Sequence, residues 1–259
     1  MGAWAAALWF ALCRVDITGS PRWAAALVPF LTWLYVGVFI IAHDAMHALV
    51  APRHRRLNDA IGRLAALLYA QFDYDALRIA HAEHHRAPAS AQVRRGIAQA
   101  SRFTVGATDV DGSCCFAAQD PDWHDGMHDS AAAWFMTFMM RYMSAAQLAR
   151  LGCAAVALHC GAGVPVLSLV LFWALPAILS ALQLFIVGTY LPHRDVAGAP
   201  HVDTHRARSL HLSDAASLLS CFNFGGCHHE HHAYPAVPWW RLHRVRALAA
   251  GSAARGVPN

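Results

Sequence analysis

Lysine is absent from the 259 residues: all 20 basic side chains are arginine, and only two of the 16 acids are glutamate. Charged residues make up 14% of the chain, against roughly a quarter in an ordinary soluble domain, while 57% is hydrophobic and the mean hydropathy is +0.32. So few charges exclude an ordinary water-soluble surface and read as a membrane protein. The apolar stretches leave too little polar sequence for a second soluble domain, so a single membrane-embedded domain over 1–259 is expected. A basic block interleaved with aromatics is also missing, so the formal charge of +4 and pI near 8.8 carry no nucleic-acid reading. There is no CxxC pair. The seven cysteines (Cys13, Cys114, Cys115, Cys153, Cys160, Cys221 and Cys227) are odd in number and scattered through apolar stretches. That pattern excludes a disulfide framework or a zinc ribbon and reads as reduced thiols. Ala3 to Leu12 lacks a basic n-region and an obvious small-residue cleavage site, so no removable signal peptide is expected and insertion is left to the spans themselves. No internal repeat is visible.

What is present is a set of long apolar runs. Trp23 to Ala42 carries no charge over about 20 residues, the length needed to cross the hydrocarbon core, and Pro29 within it is expected to kink rather than break it. Ala3 to Val15 is too short to span unless residues precede it. Leu57 to Phe72, amphipathic and short, and Ala131 to Met143, rich in Met and Phe, fit interfacial or half-buried helices better than spans. Leu148 to Leu191 is apolar throughout and interrupted by Gly161, Gly163, Pro165 and Pro176, which predicts two antiparallel spans with a turn near Gly161 to Val164. Arg53, Arg55 and Arg56 follow the first secure span, and Arg241, Arg244 and Arg246 follow the last. An even number of spans separates these groups, so both lie on one face, cytosolic or stromal by the positive-inside rule. The expected fold is all-α: a multi-pass transmembrane helical bundle with a histidine-rich site at that face.

Eighteen histidines are a heavy enrichment, and three clusters stand out: His43-Asp-Ala-Met-His47, His81-Ala-Glu-His84-His85 and His228-His-Glu-His231-His232. Both glutamates lie inside these clusters. Spacings of three and four put side chains on one helical face, so His43 joins His47, His81 joins His84 and His85, and His228 joins His231 and His232. Imidazole suits Fe, Zn, Cu or Ni, and eight imidazoles exceed what one six-coordinate ion can use, so the spacing calls for two metal ions. Zinc is disfavoured, because neither a Cys-containing structural set nor an HExxH pattern occurs. A His-rich metal transporter is the alternative of another class. Such proteins carry ligands at the bilayer midplane or in long His loops, whereas these clusters sit at span ends and beyond.

The surrounding residues narrow the reading: Ile41-Ala-His-Asp-Ala-Met-His47, Arg56-Leu-Asn58 with Gly62-Arg-Leu64, Leu68-Tyr-Ala70 with Phe72, Asp120-Pro-Asp-Trp-His124, Leu182-Gln-Leu-Phe185 with Gly188-Thr-Tyr-Leu-Pro-His193, Cys221-Phe-Asn-Phe224 leading into the third cluster, and Pro238-Trp-Trp-Arg-Leu242. From about Trp33 to Leu242 the chain resembles the integral-membrane carotenoid ketolases. These belong to the larger fatty-acid desaturase and hydroxylase superfamily of non-haem di-iron proteins. The resemblance implies oxidation of the β-ionone ring of a carotenoid drawn from the bilayer, at the allylic C4 position, using O2 and electrons from an external donor such as ferredoxin. Two hydroxylations at one carbon would give a gem-diol and then a ketone: echinenone and canthaxanthin, or astaxanthin from rings already hydroxylated at C3. It also implies two irons held by His43, His47, His81, His84, His85, His228, His231 and His232, with His193, at the end of a span, as the ninth ligand.

Chemistry agrees with that implication, since an unactivated C–H bond offers no handle to acid, base or nucleophile and requires a metal-centred or radical oxidant. Carboxylates are then expected to hold ring N–H groups, and Asp44, Glu83 and Glu230 sit where they could. Asp120, Asp122 and His124 are further candidates for that role. Trp239, Trp240 and Tyr234 read as an interfacial belt, and His54, His128, His159, His201, His211 and His243 as ordinary residues. His229 is not expected to be a ligand, and His205 has no role beyond structure. Within enzymes the alternatives are a fatty-acid desaturase or hydroxylase and a carotenoid ring hydroxylase acting at C3.

One departure from the resemblance is the stretch from Arg86 to Gln119, longer by roughly 25 residues than the family's spacing, where loops of such length are uncommon. It reads either as a surface insertion or as a retained intron spanning Val93 to Gln119, since Gln92-Val-Arg-Arg95 can be encoded across a donor-like junction and Gln119 can end in an acceptor-like one. Loop length is cheap in entropy, so the core can assemble around an insertion.

Overall fold

A proline two residues after a glycine starts the central element: Pro21 occupies the first turn of α2 (Pro21–Met46), where its missing N–H is no loss. The computed structural model describes residues 1–86, 88, 130–201 and 203–254. Around α2 lie α1 (Gly2–Arg14), α3 (Arg55–Ala70), α4 (Tyr74–Arg86), α5 (Ala131–Tyr142), α6 (Ala145–Val156, continued by the π-helical Ala157–Gly161), α7 (Val166–His193), α8 (Asp214–Cys221), α9 (His228–Ala233) and, after a 3-10 turn at Trp239–Arg241, α10 (Leu242–Ala254). The all-α expectation holds: the described residues contain no strand, only an isolated bridge between Val196 and Ala199. Among them, α2 and α7 are long and apolar enough to cross a membrane. The break between α6 and α7 falls in the expected turn, where Gly163 takes a positive φ of 70° and Pro165 precedes the next helix. The segment 93–119, with Asp120, Asp122, His124 and His128, lies outside the described residues.

The core is strung along α2. Tyr35, Val38, Ala42 and Ala45 pack against α3 and α4 through Ala65, Ala66, Tyr69 and Tyr74. Leu31 meets α1 and α7 through Ala11 and Phe172, and Val36 and Ile40 meet Cys221 and Phe224. At Gly62 of α3 there is no room for a Cβ, which would overlap the Tyr74 ring and lie 2.9 Å from the Ala45 Cβ. Glycine is therefore what lets α2, α3 and α4 cross so closely. Asp73 caps α4 by accepting from the Asp75 and Ala76 amides at 3.0 and 3.1 Å, and a two-pronged Arg63–Asp75 pair ties α3 to α4.

The end of α2 is unusually well determined. Leu49 N–H bonds the Asp44 carbonyl and Ala48 N–H the Ala45 carbonyl, the paired bonds of a Schellman closure, with Ala48 rather than glycine at φ 62°. Asn58, fully buried, holds this turn: its amide donates to the Ala45 carbonyl at 2.7 Å and accepts from the Val50 and Ala51 amides at 3.2 and 3.3 Å.

Helix α7 contains Pro176 and Pro192, and each follows a π-helical stretch, Leu169–Ala174 and Ile186–Tyr190. Proline clashes with the carbonyl four residues back. Widening the ladder to i→i+5, as where Leu191 N–H reaches the Ile186 carbonyl, moves that carbonyl aside and keeps the helix continuous to His193.

Candidate metal centre

Three helix ends and the tip of α7 meet at one place. His43 lies in the last turn of α2 and His47 directly follows it; His81, His84 and His85 lie in the second half of α4; His228, His231 and His232 lie on α9; His193 ends α7. The nine expected histidines fall into two groups, His43, His47, His81, His85 and His231 in one and His84, His193, His228 and His232 in the other, with the ligand atoms of each group within 4.8 Å of one another. The clusters of the sequence do not map one to one onto the groups. In α4, His81 and His85 serve one group and His84 the other; in α9, His228 and His232 serve the second group and His231 the first.

The donor set fits metal ions. Facing Nε2 atoms lie 2.8 Å apart for His47 and His81, 3.1 Å for His81 and His85, 3.0 Å for His85 and His231, 3.2 Å for His84 and His232, and 2.9 Å for His193 and His228. Adjacent ligands of a six-coordinate ion with metal–nitrogen bonds of about 2.1 Å sit about 3.0 Å apart, against about 3.4 Å in a tetrahedron. The His193–His228 pair also has its tautomers fixed. His193 Nδ1 donates to the Arg206 carbonyl at 2.9 Å and His228 Nδ1 to the Phe224 carbonyl at 3.2 Å. A carbonyl only accepts, so both protons sit on Nδ1 and two Nε2 lone pairs face each other. Only a cation between them makes that arrangement favourable.

Burial first, and neighbouring imidazoles second, hold His81, His228, His231 and His232 well below the usual histidine range, and lower His85 likewise; burial alone brings His47 down to about 4. Neutral rings with free lone pairs are what a metal requires.

The three expected carboxylate partners stand differently toward the histidines. Glu230 accepts from the Ser209 hydroxyl, which in turn accepts from the His229 amide at 3.1 Å, and among the described residues no hydrogen bond joins Glu83 to a ring nitrogen. Helix geometry explains both. Each glutamate stands two residues after the first histidine of an HxEHH run, about 200° around the helix from it and away from the histidine face at 100° per residue. Asp44 is closer to its expected role: buried, it accepts from the Trp239 amide at 3.4 Å, and its other oxygen, unpartnered, lies 3.9 Å from the equally unpartnered His43 Nδ1. For His193 and His228 of the second group, ring orientation comes instead from backbone carbonyls. His229 lies outside both groups and pairs with Asp203 at 2.7 Å, and His159 bonds the Val164 carbonyl across the α6–α7 turn at 2.9 Å. Trp239 is more than a belt residue, since it packs on Phe222 and its amide reaches Asp44; Trp240 and Tyr234 are exposed.

Beside the histidines opens an apolar cavity of about 120 Å³, walled by Phe39, Tyr69, Phe72, Phe138, Phe185 and Phe224 with Met46 and Met139. His43 and His81 of one group and His84 and His228 of the other complete its wall, so it touches both. Sequence reasoning missed this pocket. Its residues come from α2, α3, α4, α5, α7 and the α8–α9 region, and the Met- and Phe-rich composition of α5 was the one local signal of it.

The fatty acid desaturase family model matches residues 21–258. The chain is 39% identical to "Beta-carotene ketolase" of Paracoccus sp. (strain N81106 / MBIC 01143) over 258 positions, covering 95% of this chain and 88% of that one. The chain belongs to the ketolases of the fatty acid desaturase superfamily. Other ketolases in the family resemble it comparably: the "Beta-carotene ketolase" of Haematococcus lacustris is 38% identical across 87% of this chain and 62% of its own length, and the "Zeaxanthin 4-ketolase" of Chlamydomonas reinhardtii is 36% identical across 97% and 50%. No solved structure matches. The resemblance read from the motifs is borne out, and with it the assignment as an oxygenase, whose two histidine groups fit a di-iron centre.

Proposed function

We propose that this ketolase oxidises the C4 methylene of β-ionone rings, on β-carotene and on rings already hydroxylated at C3. The observation that carries the reading is the apolar cavity walled by histidines of both groups: a hydrocarbon ring seated there lies against both metal positions at once. The nine histidines would hold two irons, one among His43, His47, His81, His85 and His231 and the other among His84, His193, His228 and His232. Bound there, the irons would supply the activation of O2 that a C–H bond requires.

The chain's own residues supply the rest. Phenylalanine and methionine walls bind the ring by burying its apolar surface and exclude water from the reacting carbon. The Arg206 and Phe224 carbonyls hold the proton of His193 and of His228 on Nδ1, so that each Nε2 stays a ligand. Asp44, tethered by Trp239, stands ready to accept the Nδ1 proton of His43. Each oxidation consumes one O2, two electrons and two protons and releases one water. The first converts the methylene to an alcohol, the second the alcohol to a gem-diol, and loss of water from the gem-diol leaves the ketone. The electrons come from a one-electron carrier protein such as ferredoxin. The apolar α2 and α7, both ending at the histidines, and the arginines beyond them support a multi-pass membrane protein, one domain over 1–259, with its site on the cytosolic or stromal face and its substrate entering from lipid.

The test is pigment analysis of β-carotene-accumulating cells that express the chain, together with iron content of the purified protein. Echinenone or canthaxanthin and about two irons per chain are expected, with His193→Ala losing iron. A product oxidised only at C3, or only desaturated acyl chains, would overturn the reading.

A further inference from the structure

Thr189 is a hydroxyl in the wall of an otherwise apolar cavity. A helical threonine ordinarily satisfies its hydroxyl on the carbonyl four residues back, and Thr32 and Thr137 do so, donating to the Val28 and Ala133 carbonyls at 2.8 and 3.0 Å. Thr189 does not: among the described residues its hydroxyl has no hydrogen-bond partner. Thr189 sits in the π-helical turn that precedes Pro192. A π-helical turn takes the backbone out of the i→i+4 register on which the back-bond to the carbonyl four residues earlier relies. The Tyr69 hydroxyl and the imidazoles of the wall are committed. Ser180 donates to the Ala177 carbonyl, so the Tyr69 hydroxyl at 2.9 Å donates to Ser180, and the imidazoles turn their Nε2 atoms to the metal groups.

A free hydroxyl gains nothing from a hydrocarbon ring. An alcohol on that ring offers it both a donor and an acceptor. We propose that Thr189 binds the hydroxyl that the first oxidation places on the ring, keeping the alcohol seated against the metals for the second oxidation, so that ketone rather than alcohol leaves the enzyme. Thr189 is thus a specificity residue for the intermediate, and this inference rests on the ketolase reading above.

Thr189→Val keeps the side-chain shape and removes the hydroxyl; Thr189→Ser keeps the hydroxyl. In β-carotene-accumulating cells the ratio of 4-hydroxylated to 4-keto products, which does not depend on total turnover, should rise about three- to tenfold in Thr189→Val, the range one neutral hydrogen bond commands, and stay near wild type in Thr189→Ser. A wild-type ratio in Thr189→Val overturns the proposal. A pigment titration of the metal-stripped proteins decides the case in which Thr189→Val makes no oxidised product. Wild type and Thr189→Ser should bind a 4-hydroxylated carotenoid about three- to tenfold tighter than β-carotene, and equal affinities overturn the proposal. Absence of ketone from wild type itself marks failure of the ketolase reading and removes this inference with it; ketone from wild type with an unchanged ratio refutes the role of Thr189 alone.

Discussion

Asn58→Ala removes the residue that holds the end of α2, and its effect can be worked from the contacts. The substitution deletes the bond to the Ala45 carbonyl, the two longer bonds from the Val50 and Ala51 amides, and a 3.0 Å bond to the half-buried Asp59 carboxylate that water can replace. The Ala45 carbonyl keeps the Ala48 amide, and Val50 and Ala51 are half-buried, so water can replace part of what the amides lose. At about 1 kcal/mol for the short bond, about 0.5 for each long one, and up to about 1 for the void left at a fully buried position, the cost is about 2–3 kcal/mol. Such a loss lowers the midpoint of thermal unfolding by roughly 4–12 °C for a chain of this size. It falls first on the turn that carries His43 and His47. If binding of iron must restore that turn, metal affinity drops about 30- to 150-fold. Asn58→Asp should be worse than alanine, because it sets a carboxylate oxygen against the Ala45 carbonyl beside Asp59. Thermal scans of purified protein and iron titration of the stripped protein read both effects. Unchanged midpoint and iron affinity in Asn58→Ala, or a milder effect of Asn58→Asp, would refute the reasoning.

Two further outcomes are expected. The metal-free protein should lose stability as pH falls from about 6.5 toward 4: over that window an unfolded His47 binds a proton that the folded one, held at about 4, does not, so the unfolded state gains. Unfolding midpoints against pH should therefore rise through this window and flatten above it, and a flat profile throughout contradicts the burial of the ring. Gly62→Ala should destabilise by about 1–3 kcal/mol through overlap with Tyr74, whereas Gly152→Ala, in α6 with open space around it, should stabilise by up to about 1 kcal/mol; equal shifts in denaturation would sink the packing argument.

The nine histidines were legible in the sequence because ligand spacing is a local property: i, i+3 and i+4 share a face whatever the helix packs against. Their division into five and four was not, because it depends on how the ends of α2, α4, α7 and α9 cross. The helical wheel alone already turns Glu83 and Glu230 away from the histidine faces of their own helices. Asn58 stood inside a recognised motif, yet its role as the clasp of the α2 turn appears only when residues 45, 50, 51 and 58 meet. The cavity was hidden for the same reason. Phe138 and Met139 of α5 fit an interfacial helix equally well until Phe39, Tyr69 and Phe185 come to face them.

The π-helical stretches of α7 have a consequence for the reading frame of the helix as a rotary object. Each absorbs extra backbone that a plain α-helix would have turned through 100° per residue, so together they set the azimuth at which the helix arrives at His193. Removing a single residue from Leu169–Ala174 would let that stretch close as ordinary α-helix and leave His193 near its present azimuth, whereas removing one from the plain α-helical Leu175–Phe185 would swing His193 about 100° around the axis, out of reach of His228. In α7 the register of the chain, counted in single residues far from the metals, is itself part of the site.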